Sequence, residues 1–285
     1  MKIRSLVLTG FGINCEEEMA AAYQLQNSDV KILHLNELFL GKYSIHDFDI
    51  INFPGGFSFG DDIGSGKVLV NKIKYKKLSS EKYFIDEIDK FISQNKIILG
   101  VCNGFQVLAK MGLLPNVNGN YEQEVTLTNN DSGKFEDRWV KCKINESSKS
   151  PFLKRGQFPN DIIELPVRHG EGKLIIENEQ IKTKIINLSL NWLSYADNNG
   201  IITNEYPFNP NGSELNCAGL INSQGNVLGM MPHPEAFLSL YNHPNWGKIK
   251  RENPNISEEG QGVKLFQNIT NHLKKTIPQG VKNVK

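Results

Sequence analysis

The stretch Ile97-Ile98-Leu99-Gly100-Val101-Cys102-Asn103-Gly104-Phe105-Gln106 decides the reading of this chain. Residues 97–101 are apolar without interruption, as a strand buried on both faces must be. Gly-x-Cys-x-Gly follows at once, and residues 105–111 then keep helical spacing up to Gly112. A strand that turns into a helix through G-x-C-x-G has the form of a nucleophile elbow with Cys in place of Ser. Glycines flank the turn because strand and helix backbones approach closely there. The turn places Cys102 at the carboxyl edge of a sheet, where open α/β sheets bind ligands. It also places the thiol at a helix N-terminus, whose partial positive charge favours a thiolate.

Short apolar runs alternate with helical patterns upstream of this stretch. Residues 3–8, 30–35 and 50–53 read as strands, the last stopped by Pro54-Gly55-Gly56. Asn14 ahead of Glu16, Glu17 and Glu18 predicts a capped helix start. Phe84, Ile85, Ile88, Phe91 and Ile92 predict another helix. This alternation implies right-handed βαβ units and an α/β fold, with a mostly parallel sheet flanked by helices. Between residues 116 and 215 the pattern changes. Strand-like runs at 122–127, 139–144, 162–165 and 174–176 are separated by polar turns, which predicts antiparallel strands added to the same domain. Residues 226–231 return to a buried strand, 237–262 read as a long polar loop, and 263–273 as a closing amphipathic helix. A single domain over residues 1–285 is expected.

A thiolate nucleophile needs a base, and the base needs an orienting group. Met231-Pro232-His233-Pro234-Glu235 supplies both. The prolines stiffen the backbone at His233. If the segment is extended, Glu235 lies on the same side as His233 and reaches the imidazole edge turned away from Cys102. Acyl transfer also needs donors for an oxyanion. Backbone N–H groups of Gly55 and Gly56, and that of Asn103 just past the nucleophile, are the candidates. Read blandly, these pieces are a buried cysteine, a surface His–Glu pair and an ordinary Pro-Gly-Gly turn. Their joint occurrence at strand ends favours the catalytic reading.

The chain has 285 residues, 39% of them hydrophobic, and a formal net charge of +1. Near-zero charge argues against a broad nucleic-acid surface. The basic stretch 72–77 and the Lys-rich tail from Lys274 read as solvated faces. No run approaches the ~18–20 apolar residues of a membrane span, and residues 1–9 read as a strand rather than a signal peptide. Cys15, Cys102, Cys142 and Cys217 form no C-x-x-C pair, so neither a zinc site nor a disulfide framework is expected, and a cytoplasmic setting fits. Gly64-Ser65-Gly66-Lys67 resembles the end of a phosphate-binding loop, but Val68 stands where Ser or Thr should hold magnesium. No nucleotide site is expected.

Gly100-x-Cys102-x-Gly104-x-Gln106, with His233-x-Glu235 and Pro54-Gly55-Gly56, resembles the class I, or triad, glutamine amidotransferases. More narrowly, five blocks resemble the glutaminase-subunit family of phosphoribosylformylglycinamidine synthases. They are the run from Pro54 to Asp61, the run from Val101 to Gln106, His169-Gly170-Glu171-Gly172, Asn209-Pro210-Asn211-Gly212-Ser213 and the run from Gly225 to Glu235. Asn103 after the nucleophile is specific to that family, since most other relatives carry a hydrophobic residue there. The chain departs in being longer than the compact bacterial form, mainly within 116–215 and 237–262.

The resemblance implies a flavodoxin-like fold and hydrolysis of L-glutamine. Cys102 would be the nucleophile, His233 base and acid, Glu235 its orienting group, and Gln106 a glutamine-binding residue. It implies no cofactor in this chain. ATP and magnesium are expected on a separate synthetase subunit that consumes the ammonia, with a small third subunit bridging the two. Three alternatives compete. One is the glutaminase of another synthetase, such as one making GMP or CTP, but those are usually fused to a synthetase for which 285 residues leave no room. Another is a thiol peptidase or γ-glutamyl hydrolase, which the His-x-Glu block disfavours. The third is a degenerate partner-binding regulator, against which the complete triad speaks.

Overall fold

A computed structural model describes residues 2–61, 63–78, 81–148, 150 and 152–276. Strand β1 (Arg4–Thr9) leads to helix α1 (Glu16–Gln24), β2 (Asp29–His34), α2 (Leu35–Phe39) and β3 (Ile50–Phe53). Helices α3 (Lys67–Tyr75) and α4 (Phe84–Ser93) precede β4 (Ile97–Val101) and α5 (Asn103–Lys110). The middle of the chain forms β5 (Val125–Thr128), β6 (Glu136–Ile144), β7 (Ile162–His169), β8 (Lys173–Ile176), α6 (Glu179–Asn187) and β9 (Asn191–Ala196). It closes through β10 (Cys217–Ile221), β11 (Val227–Met230), α7 (Trp246–Glu252) and α8 (Val263–Thr276). The Lys-rich tail beyond Thr276 lies outside the described residues.

Nine strands form one sheet in the order β2-β1-β3-β4-β11-β10-β9-β6-β7. Pairing is parallel from β2 across to β11 and antiparallel from β11 across to β7. Helices flank the sheet, and β5 and β8 pair as a separate antiparallel ribbon. The expected α/β architecture with added antiparallel strands is therefore the one observed. The central strands β3, β4, β10 and β11 are buried at every residue, which is why Asn52 is the single strongly polar side chain among them.

Several local expectations need correction. Asn14 does not cap α1. The helix starts at Glu16 after Cys15 and has no side-chain cap, because the chain entering it is tied elsewhere. The N–H groups of Asn14 and Cys15 both donate to the Gly55 carbonyl, at 3.3 and 3.4 Å. Residues 30–35 are not all strand. His34 ends β2 and caps α2, its Nδ1 accepting from Asn36 N–H at 3.1 Å while Glu37 accepts from the His34 N–H at 3.3 Å. The loop expected over 237–262 contains α7, and α3, α6, β9 and β10 had no clear local signal. In α3, Leu69, Val70 and Ile73 face inward, while Lys72 and Lys76 are solvated, as the basic stretch predicted.

The start of α5 packs tightly on the backbone of β3 and β4. A Cβ on residue 104 would stand 1.9 Å from the Phe53 carbonyl oxygen, and one on residue 100 would stand 2.7 Å from the Gly104 carbonyl. Both obstructions are backbone, so they cannot rotate away. Gly104→Ala should therefore destabilise the protein by about 1–3 kcal/mol or more, the usual range for overpacking. Denaturant midpoints of the two proteins check this. An unchanged midpoint would show that α5 can step off the end of β3.

Candidate active site

Cys102 ends β4 with φ +52° and ψ −107°, a left-handed conformation unusual for a residue with a side chain. Two backbone bonds hold it there. Its N–H donates to Met230 on β11 at 2.8 Å, and its carbonyl accepts from Gln106 N–H at 3.1 Å. The thiol donates to the Arg168 carbonyl at 3.6 Å. Backbone strain of this kind, held by the surrounding sheet, is a mark of functional turns.

His233 follows the end of β11, the strand beside β4. Its N–H donates to the Pro166 carbonyl at 2.8 Å, which fixes the residue against β7. Its Nδ1 is 2.6 Å from Glu235 Oε1. Glu235 is the partner expected of His233, but the segment between them is not extended. Pro234–Ala236 is a 3-10 turn rather than extended chain, and the turn brings the carboxylate back to the ring. Cys102, His233 and Glu235 are all buried. Burial alone would disfavour an imidazolium. The Glu235 carboxylate, followed by the Cys102 and Cys15 thiols, outweighs it and raises the His233 pKa well above its usual 6.5.

The Pro-Gly-Gly turn lies against this imidazole. A Cβ at residue 55 would be 2.7 Å from His233 Cε1 and 3.2 Å from the Cys15 sulfur. Gly56 has φ +141°, and Phe57 N–H is committed to the Gly12 carbonyl at 2.6 Å. The Asn103 side chain is braced on both sides: Oδ1 accepts from Ser58 N–H at 3.3 Å, and Nδ2 donates to Gln106 Oε1 at 2.9 Å. The Asn103 N–H belongs to the first turn of α5, where amides have no intrahelical acceptor. Gln106 Nε2 donates to the Glu171 carbonyl at 2.5 Å. All seven residues singled out from the sequence thus converge at one sheet edge.

A cavity of about 220 Å³ opens over Cys102 and Gln106, with Asp61, Arg168 and Glu171 supplying charge along its wall. A depression of about 540 Å³ elsewhere is larger but is lined by no cysteine or histidine. The loop that resembled a phosphate-binding turn forms part of this wall, and its donors serve carboxylates of the protein. Ser65 Oγ and Gly66 N–H donate to Asp61, at 2.9 and 3.3 Å, and Ser65 N–H donates to Glu171 at 3.3 Å. Among the described residues one set of potential metal ligands converges, Cys15, His233 and Glu235, within 4.8 Å of one another. Two of its three members are already joined by the 2.6 Å bond.

Sequence reasoning assigned no role to Asp61, Ser65, Asn130, Arg168, His169 or Glu171. Asp61, His169 and Glu171 lay in blocks that carried resemblance without chemistry, Ser65 lay in the rejected phosphate-loop motif, and Asn130 and Arg168 had no signal.

An elbow-borne thiol, a buried His–Glu pair and glycine turns at one sheet edge are the parts that cysteine-dependent acyl transfer requires. Residues 2–273 match the family model described as a CobB/CobQ-like glutamine amidotransferase domain, and the chain belongs to that family. Within it the chain is of the PurQ type. It is 37% identical over 267 residues to phosphoribosylformylglycinamidine synthase subunit PurQ of Dehalococcoides mccartyi, covering 94% of this chain and 96% of that one. It is also 37% identical over 277 residues to the PurQ subunit of Methanococcus maripaludis strain C7, covering 95% and 97%. Among solved structures it is similar to a chain of PurLQS from Thermotoga maritima, with a TM-score of 0.67, 28% identity, and coverage of 96% of this chain and 100% of that one.

A second histidine in this region titrates in the opposite direction. His169 is buried, and burial together with the positive charge of His233 pushes its pKa from 6.5 down to about 3. Below pH 6.5 the unfolded chain takes up a proton there that the folded chain refuses until about pH 3. Stability is therefore lost as pH falls through that window. His169→Asn, which cannot titrate, should show a shallower acid-side slope in unfolding free energy against pH. Parallel curves would place the proton on another group.

Proposed function

We propose that this chain is the glutaminase subunit of a phosphoribosylformylglycinamidine synthase. The single observation that carries the reading is the buried Cys102–His233–Glu235 set at the carboxyl edge of β4 and β11. In the proposed mechanism Cys102 passes its proton to His233 and the thiolate attacks the carboxamide carbon of L-glutamine. The developing oxyanion is held by backbone N–H groups of Asn103 and of the Gly55-Gly56 turn. His233 returns the proton to the leaving nitrogen, and ammonia departs. Water, deprotonated by His233, then cleaves the glutamyl thioester and releases glutamate. Glu235 holds the ring in one tautomer through Nδ1 and stabilises its positive charge. Gln106, braced by Asn103 and the Glu171 carbonyl, shapes the glutamine pocket.

No cofactor is needed for these steps. The ammonia would pass to a synthetase subunit that binds ATP, magnesium and formylglycinamide ribonucleotide, with a small subunit bridging the two, in the cytoplasm. The likeness to PurQ subunits of phosphoribosylformylglycinamidine synthases and to a chain of the PurLQS structure supports the synthetase partner.

Cys102→Ala in the assembled complex tests the division of labour. Glutamine-dependent amidine formation should disappear, because no thioester can form. Synthesis from added ammonium salts should stay near the wild-type rate, because that route bypasses the thiol. Loss of both activities in a complex that still assembles would place Cys102 in the synthetase step.

A further inference from the structure

The carbonyl that meets the Cys102 thiol and the carbonyl that meets Gln106 belong to one short segment. Arg168 O accepts from Cys102 Sγ at 3.6 Å and Glu171 O accepts from Gln106 Nε2 at 2.5 Å. Between them lies the turn that connects β7 to β8. Its conformation therefore sets two contacts of the catalytic elbow at once.

One side chain organises that turn. Asn130 Nδ2 donates to the His169 carbonyl at 2.8 Å and to the Lys134 carbonyl at 2.9 Å. Its Oδ1 accepts from Gly172 N–H at 2.9 Å, and its backbone N–H donates to the Gly170 carbonyl at 2.9 Å. The remaining partner of Oδ1 is His169 Nδ1, at 3.1 Å. Because Nδ2 faces two carbonyls, the amide orientation is fixed, and Oδ1 can only accept. The hydrogen of the neutral imidazole therefore sits on Nδ1. Gly172 packs on the ring so closely that a Cβ there would be 2.4 Å from it. His169 and Asn130 are both buried.

We propose that His169, locked on Asn130 through its Nδ1–H, is a positioning residue for glutamine hydrolysis. The pair holds the 169–172 turn so that the Arg168 and Glu171 carbonyls keep Cys102 and Gln106 in their working positions. This rests on the glutaminase reading above. His169 passes no proton in the reaction and meets Cys102 and Gln106 only through its neighbours' carbonyls.

Isosteric substitutions separate the two ring nitrogens. Asn places an amide N–H where Nδ1 stands, and Gln places one where Nε2 stands. His169→Asn should keep glutamine hydrolysis in the assembled complex within about threefold of wild type. His169→Gln and His169→Leu should lose on the order of 10²-fold in kcat/KM, the scale of a ~1 Å misplacement of reacting groups. Part of the loss should be a raised KM for glutamine, through the loosened Gln106. Ammonium-dependent synthesis should be unchanged in all three, and the acid limb of the pH–rate profile should stay in place for His169→Asn.

A shifted acid limb would make His169 a titrating participant and overturn the proposal, as would Gln restoring activity better than Asn. Where His169→Leu fails to fold, the Asn and Gln variants decide, since they differ in which ring nitrogen they replace. Hydrolysis abolished by Cys102→Ala yet untouched by His169→Gln and His169→Leu would overturn the positioning role and leave the glutaminase reading standing.

Discussion

Helix α5 can start against the end of β3 only because nothing projects from residue 104. With 1.9 Å between the missing Cβ and the Phe53 carbonyl, the helix sits as close to the sheet as backbone atoms allow. That closeness makes the turn at Cys102 sharp enough to force a left-handed φ. The sharp turn in turn points the thiol along the sheet edge instead of into the core. The first turn of α5 follows directly on that bend. Everything else at the site is arranged around a sulfur whose position is set by backbone packing.

The surrounding electrostatics separate two histidines that lie close enough for the charge of one to act on the other. The Glu235 carboxylate, 2.6 Å from Nδ1, favours the charged form of His233 against its burial. His169 has only a neutral amide as partner and the His233 charge nearby, so it stays uncharged. Divergent environments for similar groups are the usual means by which a site assigns one residue to carry protons and another to stay inert. The unpartnered Nε2 of His169 and Oε2 of Glu235 show that hydrogen bonding at this edge is incomplete. Pockets that must admit a polar substrate accept that cost more readily than cores do.

The parts of the molecule written in local patterns were legible in advance. Apolar runs gave β3, β4 and β11, the first despite Asn52, and the Gly-x-Cys-x-Gly spacing gave the elbow. The His–Pro–Glu run gave the base and its partner, although through a turn that proline restricts and not through an extended strand. The rest depends on contacts that no window of sequence contains. Asn130 meets His169 from 39 residues away, and Cys102 meets Arg168 from 66. The cap expected at Asn14 failed for a similar reason: Gly55 claims the amides of Asn14 and Cys15 from across the fold. Strand β9 escaped notice because Asn191-Trp192-Leu193-Ser194-Tyr195-Ala196 neither alternates nor runs purely apolar. The Asn191 amide there serves Ser194 and Leu215, a role invisible without the fold.

Strands β4 and β11 lie side by side and parallel, with Met230 opposite Val101. Cys102 and His233 each follow within three residues of that pair. The lateral repeat of a β-sheet, about 4.8 Å, therefore sets the starting distance between the two backbones, and the His233 N–H bond to Pro166 on β7 anchors one end of it. The chain between Val101 and Val227 can change length wherever it leaves that bond and the Arg168 and Glu171 carbonyls in place.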